Sequence, residues 1–286
     1  MFVTVNGQRL FFDVVGEKLA IDGPRMREKP TLIVMHGGPG FDHSAMRPDF
    51  DGFADIAQVL YFDHRGNGRS WPSDPKTWTL AQWGDDVRGL CDVLGIEKPI
   101  VFGQSFGGMV AQSYATRHPE HARAVVFSST AARMDMAASL DIFEKKGGAD
   151  ARAIAHRFWN EGTDEQFEDY MKNVMPLYNI KPRAGGEDAR ARAIMRREVY
   201  RHFSLPGGEL LQMDFRSALR ACRAPALVLA GAEDPITPPH LAREIASSLP
   251  PGAQLEVFDR CGHGAFRDDP ARVFPVVRAF FTEHSR

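Results

Sequence analysis

The chain has 286 residues, 43% of them hydrophobic, with 35 basic against 37 acidic side chains and a formal charge of −2. That length and apolar content suffice for one α/β domain with a sizeable insert. Near-neutral charge without a basic block argues against a nucleic-acid partner, and no run approaches the ~18 consecutive apolar residues of a membrane span.

From the amino end, Met1-Phe2-Val3-Thr4-Val5-Asn6-Gly7 alternates and turns like the first arm of a β-hairpin. It carries neither a basic n-region nor an apolar h-region, so no secretory leader is expected and the protein reads as cytoplasmic. Strands are predicted near 2–5, 9–15, 31–35, 58–62, 99–102, 124–128, 226–230 and 254–258. Helices alternate with them from the fourth onward, the rhythm of a parallel sheet, so the fold class is α/β.

One helix is written with particular clarity. Thr79 and Gln82 have the spacing of a capping box, Leu80, Trp83, Val87, Leu90, Cys91 and Leu94 recur at helical spacing, and Gly95 stops the run. The last helix carries Val273, Phe274, Val277 and Phe280 on one side, enough to cover a sheet face. Between Arg133 and about Met213 the strand rhythm vanishes, and the segment reads as helical, with Met and aromatic residues that mostly pack on each other. Gly147-Gly148 and Gly185-Gly186 are candidate hinges within it. The cysteines, Cys91, Cys222 and Cys261, are odd in number and far apart, which suggests free thiols in a reducing compartment.

The most informative segment is Gly103-Gln104-Ser105-Phe106-Gly107, between the apolar run Ile100-Val101-Phe102 and a helical pattern opened by Gly108. A serine that must stand clear of a sheet sits on a sharp strand-to-helix turn, and β-carbons two residues before or after it would collide with that turn. The segment therefore reads as a nucleophile elbow with Ser105 as nucleophile.

A serine hydroxyl needs an imidazole to take its proton and a carboxylate to orient that imidazole. Asp234 follows the strand pattern Ala226-Leu227-Val228-Leu229-Ala230, and His263 lies in the loop Cys261-Gly262-His263-Gly264 after Leu255-Glu256-Val257-Phe258. Each candidate thus sits beyond the carboxyl end of a strand, where open α/β sheets place their ligands. Glu233 and Asp259 are the rivals to Asp234, but Asp234 begins an Asp-Pro turn able to aim its carboxylate at the histidine loop. Met35-His36-Gly37-Gly38-Pro39-Gly40 follows the strand at 31–34 and offers main-chain N–H groups to an oxyanion, with Gly38 and Phe106 as the candidate donors. No paired Cys-x-x-Cys or His-Glu-x-x-His occurs, so no metal is expected.

Taken together, His36 to Gly40, the stretch Asp63-His64-Arg65-Gly66-Asn67-Gly68-Arg69-Ser70, the elbow, and the segments Gly231 to Pro238 and Gly262-His263 resemble the proline iminopeptidase branch of the α/β-hydrolases. The resemblance implies an α/β-hydrolase fold with an eight-stranded mostly parallel sheet, and a helical cap inserted after the sixth strand. On that division 1–132 and 214–286 form the core and 133–213 the cap. It also implies no cofactor and hydrolysis through an acyl-enzyme; a cap of this size suggests a small-molecule or short-peptide substrate. In that branch two acidic residues hold the substrate's free amino terminus. Here Pro235 follows Asp234 where one would stand, while Glu209 falls about where the cap acid would. Losing one ammonium anchor leaves a desolvated cation poorly compensated, which argues against strict prolyl aminopeptidase activity. Phe158, Trp159 and Tyr200 are candidates for an apolar roof over Ser105.

The expected function is a metal-independent serine hydrolase acting on an amide or ester, with a carboxylesterase or lactonase of the same fold as the alternative. A ligand receptor on a hydrolase scaffold is the reading from another class. Acyl transfer to an acceptor other than water would use the same machinery. Arg65 and Arg69 are expected to brace their loop rather than meet substrate.

Overall fold

Continuous apolar runs of four to six residues are what a strand buried on both faces requires, and five such runs build the centre of this protein. The computed structural model describes residues 1–181 and 191–285. In chain order the strands are β1 (Phe2–Val5), β2 (Gln8–Val15), β3 (Leu19–Asp22), β4 (Arg25–Glu28), β5 (Thr31–Met35), β6 (Gln58–Phe62), β7 (Ile100–Gln104), β8 (Ala124–Ser128), β9 (Ala226–Gly231) and β10 (Gln254–Phe258). Eight of them form one sheet in the order β1-β2-β6-β5-β7-β8-β9-β10. The pairs β1–β2 and β2–β6 are antiparallel, and from β6 to β10 every neighbour is parallel. The expected eight-stranded, mostly parallel sheet is therefore what forms.

The remaining pair, β3 and β4, makes a separate antiparallel hairpin that sequence reading missed. Its strands are mostly exposed, and β4 reads Arg-Met-Arg-Glu, so no buried face imposes an apolar alternation.

Among the described residues, the α-helices with full bounds are α1 (Leu80–Leu94), α2 (Phe106–Arg117), α3 (Met136–Glu161), α4 (Asp164–Asn173), α5 (Arg197–Ser204), α6 (Pro239–Ser248), α7 (Ala265–Asp268) and α8 (Pro270–Glu283). Alternation along each strand divides the core into two layers. Ile33, Met35, Val101 and Val125 face the layer holding Trp83 and Leu90 of α1, Val110 and Tyr114 of α2, and Ile245 of α6. Leu32, Val34, Phe102 and Val126 face the opposite layer, closed by Val273, Val277 and Phe280 of α8. A third cluster, with Phe143, Phe158, Tyr170 and Tyr200, joins α3, α4 and α5 in the chain between β8 and β9.

Local capping follows the sequence in part. Thr79 Oγ1 accepts from the Gln82 N–H at 3.0 Å, and Gly95 ends α1 in the left-handed region at φ 67°. The reciprocal half of the expected capping box does not form: the Thr79 N–H donates to the Thr77 carbonyl oxygen at 3.2 Å, and the Gln82 side chain turns to donate to Asp86 Oδ1 at 3.0 Å. Gly148, at φ 75°, breaks α3 where a hinge was a candidate. The other candidate, Gly185-Gly186, lies outside the described residues.

Candidate active site

Ser105 caps the amino end of α2 with φ 55° and ψ −118°, a conformation that side chains rarely adopt. The flanking glycines make this turn possible. A Cβ on Gly103 would lie 2.7 Å from Gly108 Cα, and one on Gly107 would lie 2.6 Å from the Met35 carbonyl oxygen. The preceding loop also approaches closely, since a Cβ on Gly37 would lie 3.0 Å from Ser105 Cβ. Phe106 opens α2, so its N–H has no carbonyl one turn back to bond. Gly38, at φ 63°, supplies the second candidate N–H from the adjoining loop.

His263 turns Nδ1 toward Asp234, 3.0 Å from Oδ1 and 2.9 Å from Oδ2. Asp234 is fully buried, and its orientation is set by three further donors. The N–H groups of Ile236 and Thr237 reach Oδ1 at 2.8 and 2.9 Å, and the Thr237 hydroxyl reaches Oδ2 at 2.9 Å. Such a carboxylate holds an imidazole in one tautomer, with Nδ1 protonated and Nε2 left as the basic edge. Ser105, Phe106, Gly38 and His263 all line one cavity of about 830 Å³.

The α/β hydrolase fold family model matches residues 30–270 of this chain. The protein belongs to the α/β-hydrolase fold family. Among curated relatives, a proline iminopeptidase of Lactobacillus helveticus is 25% identical over 97% of this chain and 96% of its own. A proline iminopeptidase structure from Mycobacterium smegmatis superposes with TM-score 0.79 at 24% identity, covering 99% of this chain and 98% of that one. An enol-lactonase from Burkholderia xenovorans superposes with TM-score 0.67 at 23% identity, covering 99% of this chain and all of that one.

The hydrolase's cavity is walled largely by apolar side chains from the segment between β8 and β9. Phe158, Trp159 and Tyr200 line it, and Tyr170, Tyr178 and Met195, which sequence reading left as internal packing or did not single out for the site, line it as well. Phe158 and Tyr200 stack with centroids 4.5 Å apart, so two of the three roof candidates form one rigid plate.

Glu209 departs from expectation. Its carboxylate accepts the Leu80 N–H at 2.7 Å, at the start of α1, and it does not line the cavity. Burial raises its pKa and the Leu80 N–H opposes that shift. A helix amino terminus offers unpaired N–H groups and a favourable dipole, which is why the carboxylate turns there.

The remaining acids, histidines and the nearby thiol are placed otherwise. Glu233 and Asp259 are exposed, and the Cys261 thiol is buried, with burial pushing it up to about 11. His118 contacts Asp85 at 2.9 Å and His240 contacts Asp135 at 3.1 Å. His36 and His64 are buried, and burial lowers both imidazoles below their ordinary range. His36 nonetheless touches the glycine-rich loop, because its Nδ1 lies 3.1 Å from the Gly37 carbonyl oxygen.

The loop from Asp63 to Ser70 braces these parts. Arg65 bonds Asp86 through Nε at 2.8 Å and Nη2 at 2.7 Å, while Arg69 bonds Asp42 at 2.8 Å. Asn67 Oδ1 accepts the Gly40 N–H at 2.6 Å, tying this loop to the glycine-rich one. Thr237, which steadies Asp234, was missed in the sequence. The Asp-Pro-Ile-Thr turn was its signal, since an Asp side chain there accepts the N–H groups two and three residues on.

Gln104, at the end of β7, is 1% exposed and lines the cavity, and neither of its amide atoms bonds to another protein group.

Among the described residues, no group of three His, Cys, Asp or Glu side chains is placed to hold a metal ion. Likewise no described helix is long and apolar enough to cross a membrane.

Proposed function

We propose that this protein is a serine hydrolase that cleaves an amide or ester bond of a small substrate through an acyl-enzyme. The supporting observation is the convergence of Ser105, His263 and the Asp234 carboxylate behind it at the edge of one cavity. In this reading Ser105 Oγ attacks the carbonyl, and His263 Nε2 takes its proton and delivers it to the leaving group. Asp234 holds the imidazolium that forms. The N–H groups of Gly38 and Phe106 stabilise the oxyanion, and water then frees the acyl group. The catalytic groups in this reading all belong to the chain itself, with water as the acyl acceptor.

Residues 133–213 serve as the cap over the core formed by 1–132 and 214–286. The partner is a small molecule or a short peptide, not nucleic acid. Three free, buried and widely separated thiols support a cytoplasmic site of action.

Kinship with proteins named proline iminopeptidases favours a peptide amide, but one observation favours an ester or lactone. The carboxylate expected to hold a free amino terminus, Glu209, is spent on the Leu80 N–H, and Pro235 stands where the other would be. An ammonium group in this apolar chamber would lose its hydration without gaining those counter-charges. Proline, alanine and leucine arylamides should therefore turn over at least tenfold more slowly, by kcat/KM, than p-nitrophenyl butyrate or an acyl lactone. Efficient proline arylamide cleavage would reverse that preference while leaving the serine hydrolase reading in place.

A further inference from the structure

His263 is held at its ring by Asp234, but its main chain is held by a different part of the molecule. The His263 N–H donates to the Tyr178 carbonyl oxygen at 2.7 Å. The His263 carbonyl oxygen accepts Asn179 Nδ2 at 3.1 Å. Both main-chain groups of the histidine therefore bond to residues from the segment inserted between β8 and β9, not to the sheet that carries the loop.

Asp268, 4% exposed at the end of α7, locks the two segments together. Its Oδ2 accepts the Gly262 N–H at 2.7 Å and Asn179 Nδ2 at 3.0 Å, and its Oδ1 accepts the Ile180 N–H at 3.0 Å. Approach is so close at Gly262 that an added Cβ would lie 3.0 Å from Asn179 Cα and would collide with the Tyr178 carbonyl oxygen. The Tyr178 ring also stands edge-on to the imidazole, with centroids 5.5 Å apart. Its hydroxyl is 2.6 Å from that of Tyr170 in α4, which extends the support into the insert.

We propose that Asn179 is a positioning residue for His263, joining the insert to the histidine loop through the His263 carbonyl and the Asp268 carboxylate. The proposal rests on the reading of His263 as the base. Its physical content is geometric: a loop residue whose main chain loses a donor can rotate, and an imidazole displaced by about 1 Å from the nucleophile can lose about a hundredfold in rate. Tyr178, Asn179 and Ile180 also line the cavity, so the wall that receives substrate is the wall that steadies the base.

The test uses Asn179→Ala in the full chain, with Asn173→Ala as the control. Asn173 makes a comparable side-chain bond, to Asp169 at 2.6 Å, on the exposed surface of the same insert. For Asn179→Ala, kcat on p-nitrophenyl butyrate should fall about ten- to a hundredfold. KM should stay within twofold, inactivation by a fluorophosphonate should slow in parallel, and Asn173→Ala should match the unmodified protein. Unchanged kcat, a rise in KM alone, or an equal loss in Asn173→Ala would overturn the proposal. If Asn179→Ala does not fold, Asn179→Ser, too short to reach the His263 carbonyl, is judged by the same readings. A wild-type rate in Asn179→Ala beside an inactive Ser105→Ala would remove the positioning role alone, whereas an active Ser105→Ala would remove the reading beneath it.

Discussion

Ser105→Ala is expected to lower kcat on short p-nitrophenyl esters by about 10⁴-fold or more, with the circular dichroism spectrum unchanged. The magnitude follows from the absence of any substitute nucleophile at the elbow: the Cys261 thiol is buried and burial holds it protonated, up to about 11. His263→Ala should fall into the same range, and the two losses should not add, because the two side chains act on one proton. The backbone offers a second reading of the same position. Ser105 holds φ 55°, and an alanine there keeps that strain while a glycine releases it. Ser105→Gly should accordingly be as inactive as Ser105→Ala yet more stable by about 1 kcal/mol, measured by urea unfolding. Undiminished ester hydrolysis by a well-folded Ser105→Ala protein would end the assignment.

Arg65→Ala is expected to produce the largest loss of stability. Arg65 and Asp86 are 4% and 1% exposed, and they meet through two parallel bonds of 2.8 and 2.7 Å. Removing the guanidinium leaves the Asp86 carboxylate in the interior with only Asn6 and Gln82 amide donors, at 2.9 and 3.0 Å. Breaking one half of such a pair costs about 3–5 kcal/mol. In a protein of this size that corresponds to a melting temperature lower by roughly 10 °C. Replacing both partners with leucine should cost less than Arg65→Ala, since no charge is then stranded. Arg65 lies outside the cavity lining, so kcat at 15 °C should stay within a few-fold of the unmodified enzyme. A kcat loss that matches Ser105→Ala, with stability unchanged, would instead mean that the arginine takes part in turnover.

Sequence reading succeeded where a constraint acts on neighbours along the chain. The turn at Ser105 demands glycines at fixed offsets, and a Cβ at Gly103 or Gly107 would meet backbone atoms that no side-chain movement can clear. Parallel strands buried on both faces leave continuous apolar runs such as Ala226 to Gly231, and the part-exposed strands β1, β2 and β10 leave a two-residue alternation, so all eight strands of the main sheet were visible. The hairpin at β3 and β4 was not, because an exposed ribbon imposes no such pattern.

Side chains that serve distant partners were harder to read. Glu209 looked like a substrate anchor, but its partner is Leu80, 129 residues earlier, and only packing brings that helix end within reach. Asn179 gave no signal at all, since its partners His263 and Asp268 are 84 and 89 residues away and a lone Asn in a polar helical segment is unexceptional. Gln82 was half right: its backbone is capped by Thr79, yet its amide turns to the Asp86 carboxylate, which is also held by Arg65.

By itself, the sequence determined the fold class, the elbow and the chain order of the three candidate catalytic side chains. Steric rules at turns and the two-residue period of strands are enforced within a few residues and so remain legible in one dimension. Tertiary structure alone decided that a carboxylate expected to meet substrate would cap a helix instead. It alone decided that the histidine's main chain would be held by the insert above it. Hydrogen bonds between segments depend on which surfaces come together, and that pairing is settled by burial of the whole core rather than by any local pattern.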